Sequence, residues 1–367
     1  RQIAHKVLLR TFKSDAFADR ALNSEFAKAD SLADGERRQA TEIVYGVLRT
    51  GHSLDYQLAQ LTSSSFAKKT PMPTLCALRM GAYELLHLST PGYAAINEAV
   101  DLCGSQKSQR SFANGVLRNL LRKRDDESLP TVSDDESLTR TQRLAIETST
   151  PNWLLSDLSS GDGAPLASFD DLEAWAHASQ ERPPITLRIN RKRTTRDRVA
   201  EELTAHGLSV EPVDGLADAL LLEAGGGAVT SLPGFADGLW SVQDVGAQCV
   251  ALLAAPALSD NGEPRRVLDL CAAPGGKSTH LAELVGDGGV LSVEVHARKA
   301  RLIEQSCARL GHAEAVDVHV ADASDATALQ GLLESKGWSD GVDAVVVDAP
   351  CSGLGTLRRN PEHRYRK

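Results

Sequence analysis

The chain has 367 residues, 42% hydrophobic and 24% charged, a composition that predicts a globular protein large enough for two or three domains. Its formal net charge of −9 excludes nucleic-acid binding through overall positive charge, so any such contact must use local basic patches. The sequence has no secretory signal peptide and no run of about 18 apolar residues, and we therefore expect a soluble, cytoplasmic protein without a membrane partner.

The six cysteines are scattered along the chain, and no C-x-x-C pair occurs among them. This spacing favours neither a zinc site nor a disulfide framework, so we expect no metal and a reducing compartment. We also expect a monomer. The cysteines are Cys76, Cys103, Cys249, Cys271, Cys307 and Cys351.

Residues 1–125 have apolar side chains at helical spacing, as in "ATEIVYGVLRTGHSLDYQLAQL" and "LCALRMGAYELLHL". Pro71, Pro73 and Pro91 fall between the periodic runs, which predicts an all-helical domain. Residues 126–144 are polar, acidic and poor in aromatic side chains. Such a segment buries too little apolar surface to order itself strongly, so we predict a linker there.

Residues 145–255 are predicted to form a small α/β unit, because the strand-like "PPITLRIN" is followed by the helix-like "RDRVAEELTAHG" and then by "GLWSVQD". Residues 256–367 alternate strand and helix. The strands are expected in "RRVLDL", "GVLSVEV", "AVDVHVAD" and "DAVVVDAP", with helices in "KSTHLAELV" and "RKARLIEQSCARLG". This alternation predicts a doubly wound parallel sheet, whose ligands bind at the carboxyl ends of the strands.

The stretch "CAAPGGKST", residues 271–279, joins the first of these strands to its helix and ends like a phosphate-binding loop. The full P-loop pattern requires a glycine where Cys271 stands. A nucleotide hydrolase, with Asp348 as its magnesium-binding acid, is therefore disfavoured. The better interpretation is a nucleoside-binding turn in which Gly275 and Gly276 let the backbone approach a ligand closely.

Acidic residues follow at the ends of the next two strands. Glu294 lies near the roughly 20-residue offset at which an acid accepts hydrogen bonds from ribose hydroxyls, and Asp322 could accept one from an adenine amino group. Acids at strand ends are also common helix N-caps, and glycines after a strand are often only a turn. The coincidence of all three features at successive strand ends predicts an adenosine pocket.

The stretch "VVVDAPCSGLG", residues 345–355, places Asp348 and Cys351 at the end of the fourth strand. A thiol beside a carboxylate in a cleft favours nucleophilic or acid/base chemistry. For Cys351 taken alone, a small packed cysteine in a tight turn is the stronger interpretation.

The motifs "DLCAAPGGKSTHLAEL" and "VVDAPCSGLGTLRRNPE" resemble those of the Sun-type (RsmB-type) family of S-adenosylmethionine-dependent RNA cytosine C5 methyltransferases. Upstream, "STPNWLL", "ITLRIN" and "LPGFADGLWSVQDVGAQ" resemble the RNA-side part of that family, and "RRQATEIVYGVLR" and "SFANGVLRNLLR" its NusB-like domain. The resemblance covers nearly the whole chain apart from the linker. It implies an all-α NusB-like RNA-binding domain (1–125), a small RRM-like α/β subdomain (145–255) and a Rossmann-like class I methyltransferase domain (256–367).

The resemblance also implies S-adenosylmethionine as cofactor and small-subunit (16S) ribosomal RNA as partner. Glu294 would hold the ribose hydroxyls and Asp322 the adenine, while Asp348 would lie near the methyl donor and the target cytosine. In the implied mechanism a cysteine thiolate adds to C6 of the cytosine, C5 takes the methyl group, and Cys351 assists product release. The methionine portion would contact the turn formed by Cys271, Ala272, Ala273, Pro274, Gly275, Gly276 and Lys277.

This sequence departs from the family pattern in one major respect. The attacking cysteine of the family lies in a later Thr-Cys motif, and no Thr-Cys dipeptide occurs here. We therefore expect the methyltransferase domain to be C-terminally incomplete and its nucleophile to be absent from this chain. Smaller departures are Glu294, where an Asp is more usual, and Lys299, where an Arg is more usual.

Basic residues follow the "ITLRIN" strand and the "DAPC" motif, and both clusters are predicted to contact RNA, although such runs are commonly only solvated. The target cytosine must be unstacked, which favours a loop or single strand. The alternative function is a non-catalytic NusB-like RNA-binding or antitermination-like factor, which would not bind S-adenosylmethionine. The predicted RNA contacts are Arg188, Arg191, Arg193, Arg358 and Arg359.

Overall fold

A computed structural model describes residues 1–29, 31–62, 66–160, 164–166, 168–223, 229–254, 265–286 and 288–366. These residues form two compact units. Unit 1 comprises Arg1–Pro183 and Gly353–Lys367, and unit 2 comprises Pro184–Ser352. None of the helices within the described ranges combines the length and apolar character needed to cross a membrane.

Unit 1 is helical, as predicted for residues 1–125, and it has three further helices between residues 140 and 180, where a linker end and a small α/β unit are predicted. Its core contains Ile43 and Leu48 from the third helix and Leu78 and Leu85 from the fifth, all of them buried. The fifth helix is buried around most of its circumference, which explains its nearly continuous apolar sequence. The helices are α1 (Gln2–Ser14), α2 (Ala18–Phe26), α3 (Asp34–Gln60), α4 (Phe66–Lys69), α5 (Met72–His87), α6 (Gly92–Leu102), α7 (Lys107–Asp125), α8 (Arg140–Glu147), α9 (Asn152–Ser159) and α10 (Phe169–Gln180).

The predicted linker, residues 126–144, is more ordered than its composition suggests. The Gln57 side chain donates to the Pro130 carbonyl at 2.9 Å, and α8 begins inside the segment at Arg140. Thr139 caps that helix in a capping box with Gln142. Hydrogen bonds and the burial of Val132 and Leu144 therefore order this segment, and the predicted boundaries at 125 and 145 stay predictions.

Unit 2 contains a small antiparallel sheet with strand order β2-β3-β1-β4. Leu187, Leu220 and Trp240 are buried in its core. The "ITLRIN" and "RDRVAEELTAHG" predictions are confirmed as β1 and α11. The elements are β1 (Ile185–Ile189), α11 (Arg196–Ala205), β2 (Val210–Pro212), β3 (Ala219–Leu222), β4 (Trp240–Val242) and α12 (Val245–Ala254).

The second sheet of unit 2 is parallel, with strand order β7-β6-β5-β8, which confirms the predicted sheet. The order reverses between β5 and β8, and such a switch point opens a crevice at the carboxyl ends of the strands. Sequence patterning missed α15, which buries no residue. The elements are β5 (Arg266–Leu270), α13 (Gly276–Leu284), β6 (Gly289–Glu294), α14 (Ala297–Leu310), β7 (Val316–Val320), α15 (Ala326–Ser335) and β8 (Ala344–Val347).

Candidate cofactor and substrate site

Four predicted site residues lie at the carboxyl ends of the four parallel strands. Cys271 directly follows β5, Glu294 is the last residue of β6, Asp322 lies two residues after β7, and Asp348 directly follows β8. Because parallel strands end at the same edge of a sheet, the fold brings these positions to one rim. Cys351 follows three residues after Asp348 and is exposed.

The glycine turn between β5 and α13 has a backbone that requires glycine at one position. Gly275 has φ of 99° and caps α13, and a Cβ there would lie 3.0 Å from the Cα of Ile303 in α14. Cys271 has φ of 63°, which is uncommon for a residue with a side chain. The amide of Ala272 donates to the Val293 carbonyl of β6 at 3.0 Å and fixes the turn to the sheet.

An ion pair joins the turn to the end of β8. Lys277 Nζ lies 2.6 Å from Asp348 Oδ2. The Lys277 side chain is mostly buried, whereas that of Asp348 is 59% exposed. The lysine thus orients a carboxylate that remains open to solvent, beside the crevice between β5 and β8.

Glu294 and Asp322 differ in their surroundings. Glu294 is buried and accepts a hydrogen bond from the His296 amide at 3.0 Å. Asp322 accepts from both the amide and the hydroxyl of Ser324, at 2.9 and 2.7 Å, and these bonds lower the pKa of its carboxyl group. Neither is the N-cap residue of the helix that follows, because His296 caps α14 and Asp325 caps α15. Both carboxylates therefore stabilise a local turn and present an acceptor at the rim.

Sequence reasoning missed Asp269, a buried carboxylate within β5. Ser278 Oγ donates to its Oδ2 at 2.6 Å, and no group in the described ranges bonds its Oδ1. Burial raises the pKa of Asp269 to about 6. The available signal was a single acid inside the otherwise apolar strand "RRVLDL". Its bond to Ser278 ties the end of β5 to the first turn of α13.

The two cysteines at the rim have different environments. Burial, and then the carboxylates of Glu294 and Asp269, raise the pKa of the Cys271 thiol. Cys271 is therefore poorly suited to act as a thiolate nucleophile. Cys351 is exposed and follows the oriented carboxylate of Asp348, so its thiol is the more accessible of the two.

The predicted RNA-contacting arginines do not share one environment. Arg188 is buried, with a side chain only 1% exposed, and pairs with Glu283, so we withdraw it from the RNA-contacting set: a buried guanidinium cannot reach a phosphate.

The other predicted RNA contacts are less buried. Arg193 donates to the Asp237 and Arg309 carbonyls. Arg191 is largely exposed, 3.8 Å from Asp218, and Arg358 pairs with Glu181 at 3.0 Å. Arg359 is half-buried.

The structure places no group of three or more His, Cys, Asp or Glu side chains in a metal-binding arrangement within the ranges that it describes.

Three family models match the sequence. One described as the NusB family matches residues 1–122, one described as the Methyltr_RsmF/B-like, ferredoxin-like domain matches residues 150–229, and one described as 16S rRNA methyltransferase RsmB/F matches residues 256–367.

The chain is similar over its full length to curated relatives. A "Probable ribosomal RNA small subunit methyltransferase B" from Synechocystis sp. (strain ATCC 27184 / PCC 6803 / Kazusa) is 33% identical, and the match covers 100% of this chain and 77% of the relative. A protein of the same name from Bacillus subtilis (strain 168) is 34% identical, with 100% and 76% covered. The crystal structure of PH0851 has a similar fold, with a TM-score of 0.72, 21% identity, and coverage of 100% of this chain and 78% of that one.

Proposed function

This chain belongs to the 16S rRNA methyltransferase RsmB/F family, and from that membership we propose that it transfers a methyl group from S-adenosylmethionine to small-subunit ribosomal RNA. The observation that carries the proposal is the rim of the parallel sheet. There a glycine turn and three carboxylates occupy the ends of four adjacent strands, at the switch point where such folds bind nucleosides. Among the nucleoside ligands that such a rim could bind, the family membership favours S-adenosylmethionine.

The residues of the rim fit S-adenosylmethionine. The turn of residues 271–277 passes close to α14 at Gly275, where a Cβ would lie 3.0 Å from the Cα of Ile303, and we assign the methionine portion to this turn. We assign the ribose hydroxyls to Glu294 and the adenine to Asp322, because both carboxylates are acceptors at neighbouring strand ends. When bound, the cofactor supplies an electrophilic methyl group. Asp348, held by Lys277, would lie beside that methyl group and the target base.

We further propose that the acceptor is C5 of a cytosine. A cysteine thiolate adds to C6, and the electron pair that develops at C5 takes the methyl group from the sulfonium sulfur, with S-adenosylhomocysteine as the leaving group. Removal of the C5 proton by a general base then expels the thiolate. No Thr-Cys dipeptide occurs in this sequence, so we assign the attacking thiolate to none of its six cysteines. Cys351 is assigned to product release, and Asp348 to contact with the cytosine. Such a base must leave its stack, so a loop or single strand is the expected target.

On the RNA side, we propose contacts through Arg191, Arg193, Arg358 and Arg359. Arg191 keeps an exposed guanidinium with one distant partner, which suits a phosphate contact. We also propose that the NusB-like domain ends near residue 125 and that the small α/β subdomain spans 145–255. The cytoplasmic location and the monomeric state are proposed on the same basis as the rRNA substrate.

The experiment is transfer of labelled methyl groups from S-adenosylmethionine to unmodified small-subunit rRNA by the full-length protein. Glu294→Gln should raise the Kd for S-adenosylmethionine, because an amide replaces one ribose acceptor with a donor. Glu304→Gln, the same change at an exposed position of α14, is the matched control and should bind normally. No transfer together with undetectable cofactor binding would contradict the proposal and favour a non-catalytic RNA-binding factor.

The covalent step has a separate test. Cys351→Ala in the full-length protein is expected to accumulate an RNA–protein adduct that survives denaturing electrophoresis, because methylated product would no longer be released. Cys249→Ala, at a thiol outside the rim, should accumulate none. A Cys351→Ala protein that turns over freely would refute the release role while leaving methyl transfer itself untouched.

A further inference from the structure

Arg188 links the antiparallel sheet of unit 2 to the glycine turn. It projects from β1, and its side chain is 1% exposed. One terminal nitrogen donates to the Gln243 side chain and to the Gly276 carbonyl, both at 2.6 Å. The other donates to Thr279 Oγ1 at 3.0 Å and Glu283 Oε1 at 2.9 Å. Gly276, Thr279 and Glu283 all belong to α13, so a single guanidinium fixes the start of that helix.

The bond to Gly276 has a consequence for the next residue. The Gly276 carbonyl and the Lys277 amide belong to one planar peptide unit and point in opposite directions. A guanidinium that holds the carbonyl therefore also sets the direction of the Lys277 amide, one of the first amides of α13 and free of any intrahelical acceptor. The same plane fixes the Cα of Lys277, whose side chain orients Asp348 at 2.6 Å.

The remaining contacts make this arrangement rigid. Thr279 Oγ1 accepts from Arg188 and donates to the Gly275 carbonyl at 2.8 Å, so two successive turn carbonyls are tied to one guanidinium. Gln243, which accepts from Arg188, donates through its amide nitrogen to the Ala247 carbonyl at 3.2 Å. The positive charge is balanced by Glu283, whose side chain is also 1% exposed. Arginine suits this position because its planar fork serves several acceptors at fixed angles.

We propose that Arg188 is a positioning residue for the cofactor turn, holding the Gly276 peptide and thereby Lys277 in the geometry that binds S-adenosylmethionine. This inference rests on the proposed function. It also assigns a task to the small antiparallel sheet, whose strand β1 supplies the arginine that holds the first turn of α13. Arg188 itself does not touch the cofactor.

The competing explanation is that Arg188 merely neutralises Glu283. The double variant Arg188→Met, Glu283→Leu separates the two roles, because it removes the charge pair without leaving a buried charge, and such replacements are commonly tolerated. We expect it to fold with a Tm near that of the wild type. Its Kd for S-adenosylmethionine, measured by calorimetry without RNA, should rise about tenfold or more, as expected for loss of a charge-assisted hydrogen bond. In methyl transfer, KM for the cofactor should rise more than kcat falls.

Two further variants complete the experiment in the full-length protein. Arg188→Lys keeps the charge but has no fork, so it should fold and bind the cofactor more weakly than wild type. Arg198→Met, at an exposed position of α11, should leave Kd unchanged. If the double variant folds and binds S-adenosylmethionine with the wild-type Kd, the positioning role of Arg188 is refuted, while the proposed function stands. If the double variant does not fold, unchanged Kd in Arg188→Lys would overturn it. Absence of binding by the wild type would instead refute the proposed function, and this inference with it.

Discussion

Arg188 in unit 2 and Arg364 in unit 1 are each at most 2% exposed, and the two are stabilised differently. Arg188 in unit 2 is paired with a buried carboxylate, Glu283. Arg364 in unit 1 has oxygen partners without formal charge: the carbonyls of Thr148, Ser149 and Ser179 and the hydroxyls of Thr150 and Ser179. Burial lowers the pKa of Arg364 to about 10.

The difference shows what each arginine does for its unit. Arg364 belongs to the segment that follows the "DAPC" motif and ties it to the residues before α9 and at the end of α10. Tyr365 in the same segment donates to the Leu48 carbonyl of α3 at 2.9 Å. Arg188 instead holds the first turn of α13 beside the proposed cofactor site. The neutral oxygen partners of Arg364 anchor a chain segment. The planar guanidinium of Arg188, paired with Glu283, instead fixes the geometry of the turn before α13.

The largest effect is expected from Arg188→Met. It leaves the Glu283 carboxylate buried without its guanidinium partner, with His312 Nε2 at 3.4 Å from Oε1, and such a loss costs about 3–5 kcal/mol of unfolding free energy. Hydrogen exchange of the β1 and α13 amides should report this loss. The double variant with Glu283→Leu should recover most of it. If Arg188→Met is as stable as the wild type, the charged partner of Arg188 does not distinguish it energetically from Arg364.

A second large effect is expected from the pH dependence conferred by Asp269, the other buried charge beside the turn. Its pKa is raised to about 6 in the folded state, so the folded protein holds this proton more tightly than the unfolded chain. The stabilisation is complete below about pH 4 and is lost as pH rises through 6, a change of about 3 kcal/mol. Asp269→Asn should therefore gain stability relative to wild type between pH 4 and pH 7 in urea unfolding. A difference that does not vary with pH would contradict the assignment.

Arg364→Met should have a smaller effect than Arg188→Met. It leaves carbonyl oxygens without a donor but no unpaired charge, which costs about 1–3 kcal/mol. Hydrogen exchange of unit 1 should detect the change, while the Kd for S-adenosylmethionine should not move. Arg364→Lys, which keeps the charge, should lose less. If Arg364→Met lowers the free energy of unfolding as much as Arg188→Met does, the ion pair of Arg188 with Glu283 contributes no more to stability than neutral hydrogen bonds do.

The smallest effect on stability is expected from Asp322→Ala. Its carboxylate is exposed and, among the residues that the structure describes, accepts hydrogen bonds only from Ser324, so the Tm should stay near the wild-type value. The Kd for S-adenosylmethionine should rise several-fold because the proposed acceptor of the adenine amino group is removed. Calorimetry and a thermal melt of the same sample measure both quantities. Unchanged affinity would contradict the adenine assignment.

Much of the fold and of the rim could be predicted from sequence, because both rest on local patterns. Strand–helix alternation gave the parallel sheet, and strand ends placed Glu294, Asp322 and Asp348 on one edge. The predictions that failed concern contacts between residues distant in sequence. Arg188 resembles the exposed arginines that follow it, and only its contact with Glu283, 95 positions away, shows that it is buried.

The sequence by itself determined most element types, the order of the helical and sheet regions and the residue types available at the rim, because periodicity, turn residues and strand ends are properties of neighbouring residues. The tertiary structure alone decided which charges are buried and what they bond. It made Asp269 a carboxylate with a raised pKa, oriented Asp348 through Lys277 and turned Arg188 inward. Burial is a property of the packed chain, and the free energy of a charge depends on the partners that packing brings to it.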